Sequence, residues 1–267
     1  MTASLRLHPP RHTDKRRPPT LVAVAHGSRD PAALRTVTAL VNAVRALRPD
    51  VPVRLGHIEL NRPLLADTLT ALRGEAVLVP LLLGRGHHVK EDLPAAAAKA
   101  PHLSTRIAAP LGPHPLLAEA LRARLERARL ERARLEEANP HHPRAVVLAA
   151  AGSRDPDGAV DAAATATLLS ARLGGVPVVP AYASAAAPTV ADAVRALAPH
   201  SNHPRDIAVA SYFTAPGRFA TQCANAAPGI AAAPLGAHPA VARLVLHRYE
   251  QALADAPLSY RAVTVGV

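Results

Sequence analysis

Residues 21–31 read LVAVAHGSRDP, and residues 146–156 read VVLAAAGSRDP. Each stretch is an apolar run, a Gly-Ser-Arg turn and then Asp-Pro, a pair suited to the N-cap and first turn of a helix. A buried strand passing through a turn into a helix opens a βα unit. Two such openings in one chain point to a duplicated α/β fold. The copies differ at one position that matters: His26 precedes the first Gly, and Ala151 precedes the second. Imidazole binds metals or moves protons near neutral pH, and a methyl group does neither.

Outward from this phrase, strands and helices alternate. Val22–Ala25 reads as a strand, and residues 32–47 carry apolar positions at helical spacing until Arg48-Pro49-Asp50 stops them. Val51–Ile58 reads as a second strand, and Pro63–Leu72 as a helix ended by Arg73-Gly74. Ala76–Leu83 is a continuous apolar run, typical of a strand covered on both faces. Residues 91–99 read as a helix, Thr105–Ala109 as a fourth strand and Leu116–Ala138 as a long helix. The alternation predicts a parallel sheet with helices on both sides. Residues 121–135 repeat LRARL-ERARL-ERARL. Five residues advance about 500°, so the leucines form no single face, and this segment is expected to be a solvent-exposed linker helix. Asn139-Pro140-His141-His142-Pro143 marks a boundary. The expected domains are therefore a basic tail over 1–19, an N-terminal domain over 20–139 and a C-terminal repeat over 140–267.

The second half overlays the first. A shift of 125 takes Asp30 to Asp155, Pro63 to Pro188 and Glu59 to Ser184. After an insertion around 199–205, the strand VLVPLLLGRG ending at Gly86 matches IAVASYFTAPG ending at Gly217, which sets His88 against Phe219. Leu111-Gly112-Pro113-His114-Pro115 matches Leu235-Gly236-Ala237-His238-Pro239. Landmarks in the same order support an internal duplication. His26, Glu59 and His88 are all lost in the second copy.

Composition narrows the function. The 267 residues are 49% apolar, enough for a large core, but hold only two Phe, four Tyr and no Trp. Sequence-unspecific single-strand binding relies on stacking rings, so nucleic acid is not an expected partner. The net charge of +11, part of it in the Pro-rich tail, suits an anionic ligand. With Cys223 as the one cysteine, no intrachain disulfide or cysteine-based zinc site can form, as expected for a cytoplasmic protein. No run of 18 apolar residues suggests a membrane span. No GxxxxGK[ST] occurs, and no GxGxxG follows a strand, so no nucleotide is expected.

Three positions could carry chemistry. His26 ends the first strand, where open parallel sheets bind ligands. The Gly27-Ser28 turn presents backbone N–H groups to an anion, and Arg29 adds a cation. His87 and His88 follow Gly84-Arg85-Gly86 at the end of the third strand, and one of the two is expected to be a ligand. Imidazoles converging there suit a divalent first-row metal. Glu59 ends the second strand, where it could bind the metal or accept protons. His57 is two residues earlier and would point the same way in an extended strand. Both copies keep His114 and His238, which read as structural.

These residues together resemble the sirohydrochlorin chelatase family, the class II tetrapyrrole chelatases. The resemblance rests on VAHGSRDP at 24–31, the E-L-x-x-P stretch from Glu59 to Pro63, and VPLLLGRGHHVKEDLP at 79–94. By that match His88 takes the ligand position, His87 replaces a usual Tyr, and Lys90 stands where Arg is common. The resemblance implies two similar chelatase-like α/β domains, each with a four-stranded parallel sheet, facing across a cleft that holds the anionic tetrapyrrole sirohydrochlorin. It implies ATP-independent insertion of Fe²⁺, Co²⁺ or Ni²⁺, with two protons released, toward siroheme or cobalamin. His26, His88 and Glu59 would hold the metal, while Gly27, Ser28, Arg29, Arg85 and Lys90 would hold substrate carboxylates. One site per chain remains, and a fused chain is expected to act as a monomer. The alternatives are a metal- or tetrapyrrole-binding protein without turnover, and a nucleic-acid-associated protein that uses the tail and the Arg-rich helix.

Overall fold

The computed structural model describes residues 18–136, 142–200 and 206–255. Nearly all of the expected basic tail, the residues Asn139, Pro140 and His141 of the boundary, and most of the 199–205 insertion lie outside the described residues. The first repeat runs β1 (Thr20–Ala25), α1 (Pro31–Leu47), β2 (Val53–His57), α2 (Leu65–Ala71), β3 (Gly74–Pro80), a π-helical turn (His88–Asp92), α3 (Leu93–Ala98), β4 (Leu103–Ile107) and α4 (Pro115–Leu135). The second runs β5 (Ala145–Ala150), α5 (Pro156–Arg172), β6 (Val178–Tyr182), α6 (Val190–Leu197), β7 (Ile207–Ser211), α7 (Arg218–Asn225) and α8 (Pro239–Ala254).

The first sheet has the order β2-β1-β3-β4, and all its pairings are parallel. The chain leaves β1 to one side and later returns to the other. The C-terminal end of β1 is therefore a topological switch point, where such sheets leave a crevice. Leu21 to Val24 are at most 1% exposed, as a strand covered on both faces requires. Asp30 caps α1 by accepting the Ala32 N–H at 2.8 Å, and Asp155 caps α5 in the same way.

The second sheet, β6-β5-β7, has three strands where the sequence suggested four. The segment in the fourth position makes only an isolated bridge, Val209 to Ala231. Two ladder bonds form there, from the Val209 N–H to the Ile230 carbonyl and from the Ala232 N–H to the Val209 carbonyl. Pro228 and Pro234 bracket the segment, and proline cannot donate to a ladder.

The two repeats exchange their last helices. The main packing partners of α4 are α5, α8 and β7, so the last helix of the first repeat covers the second sheet. Those of α8 are α1, α4, β3 and β4. Two arginines record the exchange symmetrically. Arg124 of α4 donates to the Leu235 carbonyl of the second repeat at 2.8 Å, and Arg248 of α8 donates to the Leu111 carbonyl of the first at 3.1 Å. Burial pushes the pKa of both downward. One apolar cluster consequently spans both sheets, while each outer face keeps a smaller cluster of its own.

The long helix differs from the exposed linker expected of it. Leu117, Leu121 and Leu125 are at most 4% exposed, while Leu130 and Leu135 at the far end face solvent. Each buried leucine contributes about 1.5–3 kcal/mol. The exposed Arg127–Glu131 pair along the helix contributes roughly 0.3–0.5 kcal/mol. Packing therefore decides where α4 lies; of the charged repeat, Arg124 anchors the helix to the second repeat, while exposed pairs such as Arg127–Glu131 lie on its free face.

The glycine of each Gly-Ser-Arg turn is sterically required. Gly152 has φ +90°, and a Cβ there would lie 1.8 Å from the Ser184 carbonyl oxygen. Gly174 also has a positive φ, but a Cβ there would meet nothing within 4 Å. Gly152→Ala is expected to lower unfolding stability by at least about 2 kcal/mol, and Gly174→Ala by about 1 kcal/mol. Equilibrium urea unfolding of the two variants checks this order.

Candidate metal centre and substrate cavity

Three loops meet at the C-terminal edge of the first sheet. The loop after β1 is knitted to the loop after β2. The Ile58 N–H donates to the Ala25 carbonyl, the Glu59 N–H to the His26 carbonyl, and the Ser28 N–H to the Asn61 side-chain oxygen at 2.7 Å. Gly27 (φ +107°) allows this closeness, because a Cβ would fall 1.9 Å from the Glu59 carbonyl oxygen. Leu60 turns the chain with φ 66°.

The loops bring His26 and Glu59 together, with 3.5 Å between Nδ1 and Oε1 and both side chains roughly half exposed. The His88 ring meets the His26 ring edge-on, with centroids 4.6 Å apart and planes at 86°. All three expected ligands thus share one spot. His87, by contrast, is three-quarters exposed. Among the described residues, no group of three or more His, Cys, Asp or Glu side chains is arranged so that it could hold a metal ion as it stands.

Asp92 is an addition to the expected set. Its carboxylate lies 2.5 Å from His88 Nδ1. A carboxylate on one imidazole nitrogen fixes the ring and leaves the other nitrogen for a metal. The signal lay in the i,i+4 spacing of His88 and Asp92, which faces the two residues together once the segment is helical.

His57 differs from expectation. It is 1% exposed, and its Nδ1 lies 3.1 Å from the Pro63 carbonyl oxygen. Strand β2 stops at His57, so the alternation that would have aligned it with Glu59 does not continue. His114 and His238 are structural, as expected. Their Nδ1 atoms accept the backbone N–H of Leu116 and Ala240 at the starts of α4 and α8. Burial pushes both pKa values down, which keeps the rings neutral and able to accept.

The cluster opens into a cavity of about 1090 Å³ lined by both repeats. That is just above the ~300–1,000 Å³ range of small-molecule sites, far more than a bare ion needs. Leu34, Val37, Leu82 and Val89 line it with aliphatic surface. From the second repeat come Arg218 and the 37%-exposed Phe219, whose ring lies 6.0 Å from the Arg218 guanidinium carbon. The alignment of the repeats already set Phe219 opposite His88.

The expected carboxylate-binding residues divide into two groups. Arg29 is exposed at the cavity and has no ion pair among the described residues. Gly27 and Ser28 line the cavity beside it. Arg85 instead makes a bidentate pair with Asp161, and Lys90 pairs with Asp155 at 2.6 Å and Asp157 at 2.9 Å. These carboxylates hold the Arg85 and Lys90 pKa values above their usual range. No local pattern in the sequence reveals Asp161 as a partner 76 positions away.

Solved structures share this architecture. SirB from Bacillus subtilis with Fe3+ superposes with a TM-score of 0.68 at 22% identity, covering 88% of this chain and 95% of that one. CbiX, described as the terminal enzyme for biosynthesis of siroheme in denitrifying bacteria, superposes with a TM-score of 0.66 at 21% identity, covering 87% of this chain and 99% of that one. Among curated relatives, a sirohydrochlorin cobaltochelatase of Methanosarcina barkeri is 31% identical over 78 residues, 28% of this chain and 60% of that protein. One from Methanococcoides burtonii is 27% identical over 120 residues, 39% of this chain and 92% of that protein. The CbiX family model matches twice, over residues 20–128 and 145–252. Those two matches fall on the two structural repeats and span most of the sequence, and by them the chain belongs to the CbiX family.

Proposed function

We propose that this chain inserts a divalent metal, Fe²⁺ or Co²⁺, into sirohydrochlorin. The observation that carries the reading is the convergence of His26, His88 and Glu59 at the wall of a cavity sized for a large organic ligand. Insertion requires a metal that is held loosely and a path for two protons. Two imidazoles and one carboxylate, all part-exposed, suit brief binding of the ion. As the ion passes to the pyrrole nitrogens, the same imidazoles can accept the displaced protons. Glu59 stands at the exposed side, placed to pass a proton to solvent. Among the described residues, Arg29 and Arg218 line the cavity without a carboxylate partner, so they are assigned to the substrate carboxylates. Phe219 and the aliphatic wall would pack against the macrocycle. The likeness to relatives named cobaltochelatases supports the substrate class.

The reading is tested by following the tetrapyrrole absorption spectrum with purified protein, sirohydrochlorin and Co²⁺ or Fe²⁺ under anaerobic conditions. Metal insertion faster than in the protein-free control is expected. Stoichiometric binding without acceleration would replace this reading with a carrier function. His26→Ala and His88→Ala are each expected to lower kcat/KM at least about 100-fold.

The division of the cations makes a separate claim. Arg29→Ala and Arg218→Ala are each expected to raise the tetrapyrrole KM roughly tenfold, about 1.4 kcal/mol, while leaving Co²⁺ binding to the free protein unchanged. Equilibrium cobalt titration and initial-rate kinetics together check both parts.

A further inference from the structure

We infer that the second repeat, which has lost the candidate ligands, serves as a clamp that positions the His88 loop, and that Asp161 is its main positioning residue. The inference rests on the proposed metal role of His88. The clamp holds residues 81–90 along their length. Thr214 Oγ1 donates to the Leu81 carbonyl at 2.9 Å, and Tyr212 Oη donates to the Leu83 carbonyl at 2.9 Å. Asp161 accepts the Arg85 backbone N–H at 2.8 Å and also binds the Arg85 guanidinium. Asp155 and Asp157 take the Lys90 ammonium beyond His88. His88 therefore lies on a short span anchored at both ends by the other repeat.

The anchors are built into the core rather than laid on the surface. The Asp161 side chain is 3% exposed, and Tyr212 is 5% exposed. Thr165 Oγ1 of α5 lies 3.1 Å from the hydroxyl of Tyr212, the residue that follows β7. A buried carboxylate is costly unless fully paired, and Arg85 supplies both its charge partner and its backbone donor.

The clamp works in one direction. The exchanged helices make matching contacts both ways, through Arg124 and Arg248. Among the described residues, the loop contacts have no such reciprocal. In the aligned repeat, Asp161 corresponds to Thr36, whose hydroxyl only returns to the Ala32 carbonyl. Tyr212 and Thr214 correspond to Leu81 and Leu83, and Arg85 corresponds to Pro216. Among the described residues, polar anchors of this kind thus lie in the repeat without the candidate ligands and reach the loop with His88.

Asp161→Asn keeps the shape but removes the charge, and Tyr212→Phe removes one anchor with little change of packing. Both are compared with the unaltered full chain. Three readouts are used: hydrogen exchange of the 81–90 amides, the visible spectrum of bound Co²⁺, and insertion kinetics. Expected are faster exchange confined to 81–90, a weakened or shifted cobalt spectrum, and a kcat lower by on the order of 10- to 100-fold with tetrapyrrole KM within about twofold. Folded variants with unchanged cobalt spectra and unchanged kcat would overturn the clamp. So would exchange that rises evenly over the chain, the mark of a merely stabilising role. If the unaltered protein binds cobalt but inserts no metal, the proposed reaction fails, and the exchange and cobalt spectra still decide the clamp.

Discussion

The exchange of α4 and α8 between the two sheets is the constraint on which the rest of the molecule depends. Each sheet buries its inner face under a helix that belongs, in sequence, to the other repeat. Separating the repeats would uncover both inner faces at once. Burial of this kind is worth far more than the surface ion pairs that decorate the same helices. The relative placement of the sheets is thereby held by the core itself, and the cavity between their C-terminal edges keeps a set width. Arg124 and Arg248 add direction, since each fixes a helix to one carbonyl of the opposite repeat.

Within that frame, the duplication survives in the backbone and is lost in the side chains. The Ser184 N–H donates to the Ala151 carbonyl just as the Glu59 N–H donates to the His26 carbonyl. Ala185 repeats the positive φ of Leu60, and Gly152 repeats the close approach of Gly27. These turns are required by sterics: a Cβ at either glycine would overlap a carbonyl oxygen. Imidazoles and a carboxylate carry no such steric requirement. The second copy therefore keeps its turn while Ala151, Ser184 and Phe219 stand where His26, Glu59 and His88 stand in the first.

Charge is distributed to match. The Arg85 and Lys90 cations are taken up by acidic groups of α5 and its cap, whereas Arg29 and Arg218 line the cavity with no ion pair among the described residues. An excess of positive charge in the sequence says only that an anion is a plausible ligand. Which cations remain free to meet it depends on which carboxylates lie nearby. That is why residues grouped together by a motif fall into two different jobs.

The α/β class, the duplication, the capped helices after each Gly-Ser-Arg turn and the trio of His26, Glu59 and His88 were legible in the amino-acid sequence. All of them follow from local rules: hydrophobic periodicity, N-cap chemistry and a motif repeated in order. The burial of His57, the loss of a full fourth strand in the second sheet and the burial of half of α4 were not legible. Each depends on where a strand ends or on what packs against a face. The helix exchange and the grip of Asp161 on Arg85 lie further still from local pattern, because they join residues many tens of positions apart. The sequence alone singled out His26, Glu59 and His88 as candidate ligands and determined the turns that carry them. Only the tertiary structure decided which groups meet, because proximity between distant segments is set by packing of the shared core.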